Sequence, residues 1–316
     1  MDQFEAKTEL TSSEAAALLD VHPSTVKRWC NDGELDSEQT PGGHRRIRID
    51  AAVRFAEEHG TRTVLSPFHT FEAQVWTALR AVEEEHSFRQ LHDLALHWAR
   101  GGAFEHLEQL YLALGRAEYV SFCVFCDEAV RGLMGEVGAE WQRGRLRVGD
   151  EHMVSQAIHA ALITLRREWL DRRRDPTTSG ETRPVAVVGT MMGNHHQLGA
   201  LCVRLLLERC GWEVYYPGHD VPIEDFAEIQ RAREATLVCI SLGPAGTIGD
   251  VTRSLTLMSE FYDRGRPYSI VFGGAANLDV VEVTHEGLFE SVAFLDECRT
   301  LREALEAGLG ALRSAS

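Results

Sequence analysis

From Arg183 onward, short apolar runs alternate with stretches of helical periodicity, and this alternation restricts the fold more than any other feature of the 316 residues. Pro184–Val188, Trp212–Tyr216, Thr236–Ile240, Tyr268–Phe272 and Ser291–Phe294 read as strands. Ala200–Cys210, Ile223–Arg233 and Val251–Arg264 read as helices between them, and Leu301–Leu312 follows the last strand. On the first of these helices Leu201, Leu205 and Leu206 share one face. Strands separated by helices cross over right-handedly into a parallel sheet, so the segment predicts an α/β, Rossmann-like domain. Such sheets bind ligands at the carboxyl ends of their strands.

Three of those ends carry unusual residues. After the first strand comes Gly193-Asn194-His195-His196-Gln197-Leu198-Gly199. Two imidazoles and a glycine there suit a metal-centred cofactor that approaches closely, although the loop reads equally as a solvated turn with adjacent histidines. Ser241-Leu242-Gly243 follows the third strand and Gly273-Gly274 the fourth. No Gly-x-Gly-x-x-Gly follows the first strand, which argues against a nicotinamide cofactor.

The N-terminal segment has a different character. Thr11 or Ser12 can cap a helix through Glu14, Ala15, Ala16, Leu18 and Leu19, and Asp20–Pro23 breaks it. Ser24-Thr25-Val26-Lys27-Arg28-Trp29 starts a second short helix that ends near Asp32-Gly33. Two short helices around a tight turn read as a helix-turn-helix. A turn at Thr40–Gly43 then leads into His44-Arg45-Arg46-Ile47-Arg48, a cationic wing hairpin, and Ala51–His59 closes the domain. In such a motif the second helix presents Ser24, Thr25, Lys27, Arg28 and Trp29 to the major groove, while the wing residues His44, Arg45, Arg46 and Arg48 meet phosphates. The formal net charge of −16 argues against non-specific coating of nucleic acid but leaves this local basic patch intact.

Between the two lies helical sequence. Gly60–Ser66 reads as a linker, and helices are expected over Phe71–Glu85, Ser87–Gly101, Ala103–Ala113, Glu118–Gly138 and Asp150–Arg173, a four-helix-type bundle. The polar stretch Arg172–Arg183 reads as a second linker. Within the bundle, Trp141 and the pair Glu151-His152 flank a connection bracketed by Gly144 and Gly149, with Asp150 as the expected cap of the next helix. By residue type alone, Trp141 is a core aromatic and His152 an ordinary helix histidine. Cys123 and Cys126, two of seven cysteines, read as helix-face packing rather than a metal or redox pair. No apolar run is long enough to span a membrane and no signal peptide opens the chain, so a cytoplasmic protein is expected.

The loop at Asn194 resembles the Asp-x-His-x-x-Gly signature of cobalamin-binding domains, with Asn194 in the acid position, then His196 and Gly199. Ser241-Leu-Gly243 matches that family's Ser-x-Leu except at Gly243, and Gly273-Gly274 matches its glycines beside the nucleotide tail. The first 60 residues look like a MerR-type winged helix-turn-helix, most specifically in Pro41-Gly-Gly-His-Arg-Arg-Ile47. Tryptophan, nine residues, then Glu151-His152 looks like the adenosylcobalamin-binding bundle of CarH/LitR-type light-responsive regulators.

The resemblance implies three domains: a DNA-binding domain over residues 1–65, a bundle capping the upper face of cobalamin over 70–175, and a cobalamin-binding domain over 182–316. It implies His196 as the cobalt ligand. Asn194, His195, Gly199, Ser241, Gly243, Gly273 and Gly274 would line the cofactor on that side, with Trp141, Glu151 and His152 on the other. It further implies a transcriptional regulator, not an enzyme: a homo-oligomer, tetrameric in the dark on double-stranded operator DNA, that loosens when light cleaves adenosylcobalamin. Some family members carry a histidine directly after the tryptophan that captures cobalt after photolysis; here Gln142 stands there. A regulator sensing another chromophore, ligand or partner through a degenerate cobalamin site, and a corrinoid carrier of a methyltransferase or mutase, are the alternative readings.

Overall fold

The computed structural model describes residues 6–172, 183–276 and 289–308. The second expected linker and the last residues of the expected final helix lie outside them. The chain forms two units, Met1–Val120 with Gly132–Ala161, and Ser121–Arg131 with Leu162–Ser316.

In the first unit, Thr11 opens α1 (Ser12–Leu18) with a reciprocal cap. Its hydroxyl accepts from the Glu14 N–H at 3.3 Å, and the Glu14 carboxylate accepts from the Thr11 N–H at 2.8 Å. Such a cap is worth roughly 1 kcal/mol. Helix α2 (Pro23–Asn31) starts on a proline, whose missing N–H has no partner to lose at that position. Strands β2 (Glu38–Gln39) and β3 (Arg45–Arg48) form the expected antiparallel hairpin, turned at Gly43 with φ +77°. A third strand was not foreseen: β1 (Glu9–Leu10) pairs with β3, Leu10 opposite Ile47. Two residues are too few to show a strand's alternation. Helix α3 (Ile49–Glu58) closes a core of Leu10, Val26, Leu35, Ile47, Val53 and Phe55.

The stretch read as a linker is partly packed. Leu65 and Phe68 are fully buried, and Phe68 stacks 6.0 Å from Trp98. Helices α4 (Glu72–Glu85), α5 (Arg89–Gly101) and α6 (Phe104–Arg116) bury Val75, Leu91, Leu94, Trp98, Leu107 and Tyr111. The next helix starts later and runs further than expected. It comprises α7 (Phe122–Val124), one π turn over Phe125–Val130, and α8 (Arg131–Gln142), so Trp141 lies in its last turn. Helix α9 (Val148–Arg172) then includes Gly149. Asp150 sits two residues inside α9 instead of capping it, and bonds back to the Arg147 N–H at 2.9 Å.

Glu140 organises the connection between α8 and α9. Its buried carboxylate accepts from Arg145 Nε at 2.8 Å, from the other end of that guanidinium and from Arg100, with Arg143 at 3.4 Å. Arg145 and Arg100 together hold its pKa at about 2 against the opposing pull of desolvation.

In the second unit, β4 (Val185–Met191), β5 (Glu213–Val221), β6 (Leu237–Leu242), β7 (Ser269–Gly274) and β8 (Ser291–Phe294) form a wholly parallel sheet in the order β5-β4-β6-β7-β8. Helices α10 (Leu198–Arg209), α11 (Ile223–Arg233) and α12 (Ile248–Glu260) connect them, and α13 (Cys298–Glu306) follows. The Rossmann-like expectation holds. Four strands run past their apolar runs, because the ladder continues through Thr190 opposite Ser241 and Ser241 opposite Gly273. Val187, Phe226, Val238, Ile240, Met258 and Phe272 form the core.

Two buried carboxylates fasten helices to this sheet unit. Glu208 receives Arg166 through two bonds at 2.6 and 2.7 Å, together with Arg204 at 3.1 Å. Asp127, in the π turn, accepts from the N–H groups of Cys298 and Arg299 at 2.7 and 3.0 Å. It therefore caps α13, whose own N-cap residue, Glu297, makes no side-chain capping bond. Cys123 and Cys126 are buried alongside, and burial pushes the Cys123 thiol up to about 11, away from the reactive thiolate.

Replacing Asp127 by Ala leaves the buried Cys298 N–H and the part-buried Arg299 N–H without this acceptor, which costs about 1–3 kcal/mol for the buried group. The urea midpoint of Asp127→Ala should therefore fall clearly, and that of Asp127→Asn less, since one acceptor oxygen survives; equal midpoints for wild type and Asp127→Ala would remove Asp127 as an anchor. Glu140 gives a pH signature. Because its pKa is depressed, its stabilisation is complete above the ordinary carboxylate value and is lost as pH falls toward about 2. Denaturation between about pH 6 and pH 2.5 should show this acid loss in wild type and a shallower one in Glu140→Gln. Parallel profiles would rule out the clamp.

Candidate functional site

The strand order changes sides between β4 and β6, and parallel sheets of this kind bind ligands at the carboxyl ends of the strands where that happens. The loop after β4 is tied down on both flanks. The Met192 N–H donates to the Val221 carbonyl at 2.8 Å and the Gly193 N–H to the Asp220 carboxylate at 2.7 Å. Asp220 is left-handed, φ +59°, and its own N–H donates to the Thr190 hydroxyl, which donates to the Asn194 carbonyl at 2.6 Å. Thr190 and Asp220 are braces that the sequence reading missed.

The Asn194 side chain is buried and bonded at both ends. Its Nδ2 donates to the Ser241 carbonyl at 2.9 Å. Its Oδ1 accepts from the His196 N–H at 3.0 Å and faces His196 Nδ1 at 3.3 Å. A carboxylate could not donate to the Ser241 carbonyl; an amide serves both neighbours. With Nδ1–H directed at an acceptor, the imidazole is held in the tautomer whose Nε2 carries a bare lone pair. His196 is otherwise exposed. His195 is exposed as well, but its ring lies 5.9 Å from that of His219 and is not held by Asn194.

The other expected residues on this side gather around the same point, with one exception. A Cβ on Gly199 would come 2.9 Å from the Ser241 hydroxyl, one on Gly274 3.0 Å from it, and one on Gly243 2.6 Å from Asn194 Oδ1. A Cβ on Gly273 would instead strike the Leu295 carbonyl, so that glycine answers to the end of β8.

In the first unit, Trp141 is exposed at the end of α8, and Gln142 beside it. Glu151 and His152 lie in the first turns of α9, with His152 Nε2 3.4 Å from the Glu151 carboxylate, which also accepts from Ser155 Oγ at 3.0 Å. Val148 and Met153, in the first turns of α9, are 51% and 48% exposed, comparable to Trp141 at 48%. Their signal in the sequence is faint: apolar residues beside a polar turn.

The helix-turn-helix residues divide by surroundings. Ser24, Lys27, Arg28 and His44 are exposed and Thr25 half-buried. Trp29 packs inward, its ring 4.9 Å from Phe55. Arg45 donates to the Asn31 side chain, and Arg46 to the Arg45 carbonyl at 3.4 Å. Arg48 makes two bonds to Asp50, at 2.9 and 3.3 Å, which leaves its charge largely compensated.

Comparison with known proteins identifies three domain families in the chain. Residues 9–60 match the helix-turn-helix domain family, residues 88–166 one B12 binding domain family and residues 184–299 another. The HTH-type transcriptional repressor CarH of Myxococcus xanthus is 30% identical over 151 residues, 48% of this chain and 46% of that protein. The dimethylamine corrinoid protein of Methanosarcina barkeri is 30% identical over 142 residues, 45% of this chain and 64% of that protein. The chain thus spans less than two thirds of the length of either relative. The solved monomethylamine corrinoid protein of the same organism aligns with 65% of this chain and 97% of its own at 18% identity, with a TM-score of 0.42. The chain thus joins a helix-turn-helix domain to two B12 binding domains and is similar, over about half of its length, to a CarH-type regulator.

Proposed function

We propose that the protein is a cytoplasmic transcriptional regulator that binds double-stranded operator DNA as a homo-oligomer and senses light through bound adenosylcobalamin. The observation that carries this reading is the joining, in one chain, of an anchored and outward-facing imidazole at the switch point of a B12-binding sheet to a winged helix-turn-helix. A corrinoid carrier has no use for the latter domain.

The residues suit the cofactor. His196 offers Nε2 to cobalt, and Asn194 holds the opposite ring proton, as a metal-bound histidine requires of its neighbour. Gly199, Gly243 and Gly274 leave three side chains out of the space around Ser241 and Asn194. His195 takes a lesser part, as it lacks the amide anchor. When bound, adenosylcobalamin supplies a cobalt–carbon bond that light breaks. By resemblance, Trp141 would meet the upper ligand with Glu151 and His152 beside it, and the exposed Val148 and Met153 would add apolar surface. The bundle would then favour the conformer that closes on a bulky upper ligand, and the dark tetramer would be built on that conformer. Gln142, a weak cobalt ligand beside imidazole, would supply no second histidine after photolysis.

On the DNA side, Lys27 and Arg28 of the recognition helix and Arg45 and Arg46 of the wing supply the cationic contacts. Arg45→Ala with Arg46→Ala should weaken binding to every duplex and lower the slope of log affinity against log salt by about two. An unchanged salt titration would exclude the wing from the interface. The light-sensing part is tested by size-exclusion chromatography of the adenosylcobalamin-loaded protein in darkness and after green light. Wild type should pass from tetramer to a smaller species, and Trp141→Ala should be small in both conditions. The same elution volume for wild type before and after light would sink the light switch and leave DNA binding untouched.

A further inference from the structure

We propose that Gly243 is a positioning residue for the His196 imidazole, acting through Asn194, and that glycine at 243 and an amide at 194 form one coupled device. Its bearing on cobalamin rests on His196 being the cobalt ligand; its bearing on the imidazole does not.

The space over Gly243 is already filled by the Asn194 amide. A Cβ there would lie 2.6 Å from Asn194 Oδ1, 3.2 Å from its Cγ and 3.1 Å from His196 Nδ1. The first distance is shorter than real contacts allow, so one partner has to move. The backbone at 243 is held. Leu242, the last residue of β6, pairs with Gly274, and its carbonyl accepts from the Ala275 N–H at 3.0 Å. The Gly243 carbonyl accepts from the Gly246 N–H at 2.9 Å in the turn that follows. The Asn194 main chain is held too, by the Thr190 hydroxyl on its carbonyl and by the Met191 carbonyl on its N–H at 3.0 Å. What can give way is the amide and, with it, the imidazole.

A side chain at 243 therefore displaces Oδ1 from His196 Nδ1. The ring loses the acceptor that selects its Nδ1–H tautomer, and with it the fixed Nε2 lone pair. The same contact explains why the two sites vary from the cobalamin-binding signature together. Asn194 turns its amide to reach the Ser241 carbonyl, and in that pose Oδ1 overlies residue 243, where only a residue without Cβ fits. Gly243 thus contributes by vacating space for the amide, not by touching the ligand.

The test is a double-mutant cycle on the full-length protein, read in two ways. In the cobalamin-free protein labelled with 15N-histidine, long-range NMR correlations report the tautomer of His196. Wild type should be Nδ1–H; Gly243→Ala should become a mixture of tautomers; Asn194→Ala should be a mixture that Gly243→Ala does not alter further. In the loaded protein, Gly243→Ala should lower cobalamin affinity about tenfold in the wild-type background and less than about twofold in the Asn194→Ala background, the non-additivity of two groups in contact. Equal losses in both backgrounds, or an unmoved tautomer in Gly243→Ala, would overturn the proposal. If Gly243→Ala fails to fold, the double variant should fold, since the clashing amide is gone; failure of both counts against the coupling. Nitrogen hyperfine splitting in the cob(II)alamin EPR spectrum keeps the two readings apart. If it is the same in His196→Ala as in wild type, His196 is not the cobalt ligand, while the tautomer result still decides the role of Gly243.

Discussion

A parallel sheet in which the chain leaves β4 for one neighbour and returns to the other side for β6 has to open between the two. The functional part of the second unit follows from that constraint. The loops after β4 and β6 bring Asn194, His196 and Gly243 together, and the end of β5 supplies Asp220 to brace the first of them. The amide of Asn194 then joins the two loops, one end on the Ser241 carbonyl and the other against the imidazole. Buried, it bonds to the Ser241 carbonyl, the His196 N–H and the His196 ring, and a buried amide without such partners would cost more than each bond provides.

Buried carboxylates do comparable work elsewhere. Asp127 supplies the acceptors for the start of α13, and Glu208 binds Arg166 and Arg204. In the first unit Glu140 holds the α8–α9 connection through three arginines, immediately before the exposed Trp141. In each case an isolated buried charge would be prohibitive, and several charge-assisted bonds or helix N–H groups make it tolerable. An exposed tryptophan beside such a clamp is a surface kept rigid without being packed away.

The helix-turn-helix shows how little net charge says about a local interface. A chain of formal charge −16 places Lys27, Arg28, Arg45 and Arg46 within two short elements of one domain. Arg48, from the same basic run, is held by Asp50 through two bonds, and Trp29 turns to Phe55. Residues adjacent in sequence thus divide between surface and scaffold according to which face of the helix or strand they occupy.

What the sequence by itself determined is everything carried by local pattern. The alternation of apolar runs and amphipathic stretches specified a parallel α/β domain, a bundle and a helix-turn-helix, and the Gly, His and Ser residues after the runs singled out the ends of three strands. Tertiary structure decided matters of partnership. Leu65 reads as linker until its full burial is seen, just ahead of Phe68 stacked on Trp98. Strand β1 exists only because β3 is there to pair with it, and the strands run on through Ser241, Gly273 and Gly274 because neighbours continue the ladder. Asn194 reads as a departure from a carboxylate until the Ser241 carbonyl, 47 residues away, calls for a donor. Gly243 reads as a departure from leucine until that amide occupies its space. Periodicity is a property of neighbouring residues, whereas hydrogen-bond partners and excluded volume come from residues far apart in the chain, so the sequence could place the loops but not show which atoms within them meet.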